Sequence, residues 1–412
     1  MISTKARERW RLPTRLAYVL VAGVVGLGLF ASLVPSPLYQ YYSVLWDFSP
    51  LTLTLVYAIY AVGVLAALIL AGGVSDLVGR RPVLLASLGG LMGSTVLFLF
   101  ADSVAWLFVA RGVQGLATGV ALGAASAALL DLHPRRDAAG VGLTNAIAAA
   151  AGIGLGMLVS SSLVQIGWEP RRLPYLLLIA LVALAIVGAY VMVEPVESRS
   201  PLRLTFARPE VPVSVRRPFF LASLAVISSW SIGALFFSLG PELAAQLFET
   251  TNAIVSGIGV VAVAGAAVLA QVAARRAAPW KATGAGSIAL ALGMFVIVIA
   301  AATGSATAYL AGSVLGGVGF GVAFLGGLRA LVAVIPPEHR AAVLSAYYVV
   351  AYAALSVPAV LAGVAVTYIS LGSTFEIFGS VVAAIALLVA FEAWRTRPAG
   401  ETLNPSPTPV QQ

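Results

Sequence analysis

The sequence from Gly72 to Pro82 is Gly-Gly-Val-Ser-Asp-Leu-Val-Gly-Arg-Arg-Pro, a short polar turn between apolar runs at about 51–74 and 82–100. Runs of this length match the roughly 20 helical residues that cross a hydrocarbon core of about 30 Å. Neither run alternates over about ten residues, as a strand of a membrane barrel does. The stretch therefore predicts two membrane helices joined by a tight turn.

The same pattern extends over the whole chain. Its 412 residues are 60% hydrophobic and 10% charged, with a mean hydropathy of +1.00, which is more apolar surface than one soluble core can hide. We predict an all-α membrane protein of twelve transmembrane helices, at about 16–36, 51–74, 82–100, 104–130, 140–163, 174–193, 218–240, 252–270, 283–303, 307–335, 341–365 and 373–393.

The chain divides into two halves around its longest polar segment. Residues 194–217 are rich in Pro and Arg and lack apolar periodicity, which is typical of a linker. We expect two pseudo-symmetric six-helix bundles at 1–193 and 218–394, a cytoplasmic linker at 194–217, and a disordered tail at 395–412.

An internal repeat supports this division. The sequence Pro-Arg-Arg-Asp-Ala-Ala at 134–139 is echoed by Pro-Glu-His-Arg-Ala-Ala at 337–342. Upstream of each copy, two glycines four residues apart occupy positions that match to within one residue, namely Gly115 and Gly119, and Gly317 and Gly321. Such repeated halves are typical of transporters that expose a midplane site alternately to the two sides of a membrane.

Basic residues predict the orientation, because Lys and Arg that flank spans are retained on the cytoplasmic side. With both termini cytoplasmic, every Lys and Arg lies on that side except Arg111, Arg171, Arg172 and Arg329. We therefore expect a multi-pass plasma membrane protein. Anionic lipid headgroups account for the net charge of +8 without a nucleic acid partner.

The turn at 72–82 also carries a family resemblance. Gly72, Asp76, Gly79, Arg80 and Arg81 resemble the Gly-x-x-x-Asp-Arg-x-Gly-Arg-Arg signature of the major facilitator superfamily. Asp76 can accept charge-assisted hydrogen bonds from the arginines.

The resemblance implies a charge network that closes the cytoplasmic side when the opposite side is open. Asp131, at the end of the fourth span, is the acidic partner that the resemblance implies. Leu77 stands where the signature often has arginine, so one member of the usual network is absent.

The fourth span resembles another motif of that family, through Leu107, Arg111, Gln114 and Gly115. An arginine deep in a bilayer is costly unless it faces a cavity or a partner. The resemblance implies proton coupling or substrate contact at Arg111. In the alternative interpretation, the guanidinium bonds backbone carbonyls and only fixes helix packing.

The fifth span contains Gly152-Ile153-Gly154-Leu155-Gly156-Met157, which is similar to the glycine-rich fifth helix of the family's antiporter branch. That branch usually has proline where Met157 stands. The alternative is a packing role, because small residues allow helices to approach closely in lipid.

Aromatic residues of the spans are candidates for lining a central cavity, where rings stack on hydrophobic or amphipathic solutes. They are Phe30, Tyr57, Tyr60, Trp230, Phe237, Phe324, Tyr348 and Tyr352. Asp, Glu and Lys are absent from the middle of every span, although intramembrane carboxylates are the usual proton carriers. Glu242, at the external end of the seventh span, is the nearest candidate.

The sequence offers no catalytic cluster, phosphate-binding loop, cofactor motif or metal site. Its resemblance implies a transporter of small molecules, with protons as the coupling ion. Our leading hypothesis is a proton-coupled exporter of hydrophobic or amphipathic compounds that works as a monomer. The alternatives are a metabolite uptake carrier, by symport or uniport, and a non-transporting receptor on the same scaffold.

Overall fold

The computed structural model describes residues 12–71, 74–195, 211–336 and 339–397. Within these ranges, twelve helical spans are long and apolar enough to cross a membrane, and none of the described residues forms a strand. The predicted all-α fold with twelve membrane helices is confirmed.

The first bundle contains the helices α1 (Thr14–Leu33), α2 (Ser36–Trp46), α3 (Pro50–Ala71), α4 (Val74–Val78), α5 (Arg80–Leu99), α6 (Val104–Leu132), α7 (Ala138–Ile166) and α8 (Leu173–Val191). The second bundle contains α9 (Arg216–Ser238), α10 (Gly240–Leu247), α11 (Ala253–Ala273), α12 (Pro279–Thr303), α13 (Ala306–Val332), α14 (Arg340–Ala365) and α15 (Leu371–Arg395). We call the membrane face that carries α4 and the start of α5 the motif face and the opposite one the distal face.

The predicted boundaries differ most in the first span. We expected it to end near residue 36, but the chain continues through α2 to Trp46. Pro35 and Pro37 lack an N–H, so they interrupt the hydrogen bonds of α1, yet proline fits the first turn of the helix that follows. The result is one long span with a break at its centre.

Two other predicted boundaries also shift. Helix α9 begins at Arg216, preceded by a 3₁₀ turn at Val213–Val215, so the predicted linker at 194–217 includes the start of the second bundle. Helix α15 ends at Arg395. Residues 196–210 and 398–412, which make up most of the predicted linker and tail, lie outside the described residues.

The two bundles meet along two seams. Helix α3 packs against α14, and α7 packs against α11. The apolar cluster of Tyr60, Ala61, Val64 and Tyr352 joins the bundles at the first seam. These seams frame the space at the centre of the molecule.

The internal repeat is visible in the helix contacts. A Cβ on Gly119 of α6 would lie 2.6 Å from the Val64 carbonyl oxygen, and a Cβ on Gly321 of α13 would lie 2.8 Å from the Ala267 carbonyl oxygen. Because real Cβ atoms do not approach carbonyls so closely, glycine is required at both positions. The two bundles therefore repeat the same close helix contact.

Large apolar side chains are exposed around the outside of both bundles. Leu184 and Val187 on α8 and Phe295 on α12 are examples. Contiguous apolar surface on this scale is unfavourable in water, but hydrocarbon chains solvate it. The exposed surface thus agrees with a position in the bilayer.

Candidate functional site

A small cavity lies between the two bundles. It has a volume of about 60 Å³, which is room for a few water molecules. It is lined by Leu29, Ser32, Leu33, Tyr57, Tyr60, Arg111, Ile153, Gly233, Ala234, Phe237, Ser238, Leu355 and Ala359. The lining comes from both bundles, as a site for alternating access requires.

Arg111 is the charged residue of this lining, and its side chain is 0% exposed. Its Nε donates to the Tyr39 hydroxyl (2.6 Å), and its Nη1 donates to the Ser32 carbonyl and the Gln114 side-chain oxygen (both 2.7 Å). The third nitrogen, Nη2, has no hydrogen-bond partner among the described residues.

These bonds join α6 to the break in the first span. Pro35 cannot donate to the Ala31 carbonyl, which instead accepts from Gln114 Nε2 (3.0 Å). The next carbonyl, of Ser32, accepts from Arg111, and the Ser160 hydroxyl donates to the Val34 carbonyl (2.5 Å). Side chains from α6 and α7 therefore satisfy the backbone acceptors that the break leaves without partners.

Aromatic rings enclose the Arg111 guanidinium. Its central carbon lies 4.9 Å from the ring centre of Tyr57, 5.4 Å from Tyr39, 5.5 Å from Tyr60 and 5.8 Å from Phe98. Cations are attracted to ring faces at these distances. The described residues form no ion pair with Arg111, so the rings and neutral oxygens stabilise its charge.

The predicted aromatic residues separate into two groups. Tyr57, Tyr60 and Phe237 line the cavity. Another group packs together in the second bundle, where the Trp230 ring lies 5.5 Å from Phe324 and 5.1 Å from Tyr352.

Two further members of the predicted set are outside the lining. Tyr348 packs against the cluster of Tyr60 and Tyr352. Phe30 belongs to the apolar core of the first bundle. A role in substrate contact for these residues stays a prediction.

The charge network at the motif face centres on Arg80. Its side chain is 9% exposed and pairs with Asp76 (2.6 Å) and Asp131 (2.9 Å). The guanidinium also donates to the Ser75 hydroxyl (2.7 Å). The structure therefore brings together Asp76, Arg80 and Asp131, while their role in gating stays a prediction.

Glu194 binds the backbone at the start of α5. Its carboxylate accepts from the backbone N–H groups of Arg80 (2.8 Å) and Arg81 (3.0 Å) at the start of α5. Gly79 precedes them with a φ of 110°, a conformation that glycine adopts readily. The Arg81 side chain donates to the Tyr190 carbonyl and lies over that ring, and Gly72 lies outside the described residues.

Glu242 lies on α10 at the distal face, away from the cavity lining. It is exposed and accepts from Gln40 Nε2 of α2 (3.1 Å). At the same face, the Gln165 side chain accepts from the Ala253 backbone N–H (2.9 Å). In the described part of the chain, these two hydrogen bonds join the bundles, and both lie at the distal face.

The glycines of α6 and α7 have packing roles. Gly115 leaves no space for a Cβ beside the Tyr60 backbone. On α7, Gly152 and Gly156 contact the backbone of α1 at Gly26 and Phe30. These contacts agree with the packing interpretation of the glycine-rich fifth span.

Sequence reasoning missed several contributors to the site. Tyr39 and Ser32 contact Arg111, and Glu194 caps α5. The proline pair in the first span was a usable signal, because it implies carbonyls that need donors from elsewhere. For Glu194 the sequence carries no comparable signal, because its partner is a helix start 114 residues away.

Comparison with known proteins identifies relatives and structural neighbours. The profile of the family described as Major Facilitator Superfamily matches residues 16–325. The multidrug resistance protein MdtL of Citrobacter koseri is 26% identical over 216 residues, which cover 50% of this chain and 54% of that protein. The matched region is thus about half of the relative.

Two solved structures share the architecture over most of their length. The human organic anion transporter MFSD10 has a TM-score of 0.68 at 18% identity, covering 93% of this chain and 100% of that chain. A partially occluded, inward-open structure of the xylose transporter XylE from E. coli has a TM-score of 0.73 at 17% identity, covering 94% and 99%. At these identities the likeness shows the fold alone.

Proposed function

Because this chain belongs to the major facilitator superfamily, a family of membrane transporters rather than enzymes, we propose that it exports hydrophobic or amphipathic small molecules in exchange for protons. Alternating access of the central cavity carries the substrate across the membrane. The partial match to a multidrug resistance protein supports this direction of transport.

The observation that carries the proposal is the composition of the cavity. Its walls are aliphatic and aromatic side chains from both bundles, with Arg111 as the charged group and a few hydroxyls. A sugar needs many hydrogen-bond partners to replace its water, and these walls supply few. An apolar solute loses little on entering such a site.

The hydrogen bonds at the distal face and the small cavity describe one stage of the transport cycle. A volume of about 60 Å³ is far below that of a drug-sized pocket, roughly 300–1,000 Å³. The bundles therefore separate to admit a substrate. The hydrogen bonds from Gln40 to Glu242 and from Ala253 to Gln165 break when the distal face opens.

Proton movement in sealed vesicles tests the function. Purified protein is reconstituted into vesicles with an acidic interior, and a panel of neutral and charged amphipathic compounds is added while the internal pH is recorded. We expect substrate-triggered proton efflux that protein-free vesicles lack and that Arg111→Ala removes. If no compound moves protons while labelled metabolites accumulate inside, uptake is the function instead.

A further inference from the structure

The charge balance of the central cavity indicates which amphipathic compounds it accepts. Arg111 lines the cavity and is 0% exposed. No carboxylate occurs among the lining residues, and the described part of the chain gives Arg111 no ion pair. The cavity therefore carries an uncompensated positive charge in a medium where charges interact strongly.

The guanidinium retains donor capacity toward a ligand. Nε and Nη1 are occupied by Tyr39, Ser32 and Gln114, while Nη2 is buried without a partner among the described residues. A buried N–H group without an acceptor is unfavourable. An anionic group that entered the cavity would supply the missing acceptor and the missing negative charge together.

The rest of the cavity suits an apolar body. Leu33 and Ile153 of the first bundle and Phe237 and Leu355 of the second surround the space beside Arg111. Their side chains offer no hydrogen bonds, and Arg111 is the charged residue of the lining, so the charged end of a ligand is accommodated at the arginine. A compound with one anionic end and an apolar remainder meets both conditions.

We propose that the substrates are amphipathic monoanions, such as organic carboxylates or sulfonates, and that Arg111 Nη2 binds the anionic group. The inference rests on the proposed export function and specifies its substrate class. Lipophilic cations are disfavoured, because they would enter beside a buried positive charge. Neutral analogues fill the same apolar space but leave the charge of Arg111 unbalanced.

A matched series of fluorescent probes tests the charge preference. Dansylglycine is an anion, dansylglycinamide its neutral analogue, and dansylethylenediamine a cation at neutral pH. Energy transfer from protein tryptophan to the dansyl group reports equilibrium binding to the purified protein. In parallel, proteoliposomes loaded with each probe report transport, corrected for leakage from protein-free liposomes.

For the wild-type protein we expect dansylglycine to bind about tenfold to a hundredfold more tightly than the amide, as a hydrogen bond to a charged group implies. The cation should bind most weakly. Arg111→Gln should bring the anion and amide affinities together, and Arg111→Lys should retain part of the preference. Arg329→Gln is the matched control, because Arg329 bonds backbone carbonyls outside the cavity and should leave the preference unchanged.

The outcomes separate the two proposals. The anion inference is overturned if the wild-type protein binds the anion and the amide equally, or binds the cation more tightly. This comparison uses the wild-type protein alone, so it holds even if an Arg111 variant does not fold. Anion-selective binding without transport of any probe overturns the export function but retains the assignment of Arg111 as the anion site. Absence of both binding and transport, in protein with verified helical content, overturns both.

Discussion

At the scale of single residues, Arg111 connects the structure of the first span to the properties of the cavity. A charged group in the middle of a bilayer protein is unfavourable unless its donors are satisfied. Here neutral oxygens and four rings surround it. The arginine thus stabilises the break at Pro35 and retains one nitrogen for a ligand.

The hydrogen bond from Arg111 Nε to the Tyr39 hydroxyl gives a first prediction. Tyr39→Phe removes the acceptor and leaves a buried N–H group without a partner, which should lower the free energy of unfolding by about 1–3 kcal/mol. Tyr41→Phe is the control, because the Tyr41 side chain is 46% exposed. Thermal unfolding in detergent, followed by circular dichroism, measures both variants, and equal unfolding temperatures would contradict the prediction.

The pairing of Arg80 with two carboxylates gives a second prediction. Asp131→Asn removes a charge from a mostly buried pair (2.9 Å), while Asp76 still holds the arginine (2.6 Å). We expect a slower transport rate with little change in apparent substrate affinity, since the cavity is elsewhere. The control is Asp102→Asn, in the distal loop between α5 and α6, which should transport at the wild-type rate. If this control variant is also slow, the rate loss is not specific to the Arg80 pair.

At the scale of elements, close helix contacts depend on the absence of side chains. A Cβ on Gly156 of α7 would lie 2.5 Å from the Phe30 carbonyl oxygen, whereas a Cβ on Gly93 of α5 would meet nothing within 4 Å. In lipid, such close packing is the main source of helix association. Substituting alanine at these two glycines therefore compares a tightly packed helix position with an open one.

We predict that Gly156→Ala lowers the free energy of unfolding by about 1–3 kcal/mol, because the helices must separate. Gly93→Ala should be neutral or stabilise by up to about 1 kcal/mol through helix propensity. Thermal stability of the two purified variants in one detergent gives the comparison. A Gly156→Ala protein as stable as Gly93→Ala would show that α1 and α7 pack less closely.

The start of α5 depends on an acceptor from a distant part of the chain. Glu194 accepts from the first N–H groups of that helix, as a capping side chain does. Glu194→Ala should lower the free energy of unfolding by about 1 kcal/mol, and Glu194→Gln should lose less because its amide oxygen still accepts. Thermal unfolding of both variants measures this order, and a reversed order would contradict the capping role.

At the scale of the whole molecule, the seams and the distal face define how the bundles move. The hydrogen bonds between the bundles lie at the distal face in the described part of the chain. Since the chain has no cysteine, introduced cysteines give an unambiguous test of this movement.

We predict that the double variant Gln40→Cys and Glu242→Cys, joined by a short bifunctional thiol reagent, is held closed at the distal face and loses transport. A reducible reagent should allow activity to return after reduction. Each single variant treated with the same reagent is the control. Full transport by the cross-linked protein would show that the bundles do not separate at this face.

The sequence by itself determined the twelve-helix, two-bundle fold and predicted that Asp76 and Asp131 lie beside the arginines at the start of α5. The fold follows from local features, since span length, turn glycines and the charge of loops are properties of short segments. The prolines at 35 and 37 were visible in the sequence, but the break that they cause was not predicted. Its consequence, a continuation of the span to Trp46, was not anticipated.

Only the tertiary structure decided what surrounds Arg111. Its partners Tyr39 and Ser32 are 72 and 79 residues away in the chain, and the cavity walls come from both bundles. No local pattern specifies which carbonyl a distant guanidinium reaches or that one of its nitrogens lacks a partner. The charge of the site is a property of packed helices, because it depends on which groups the fold excludes from the cavity.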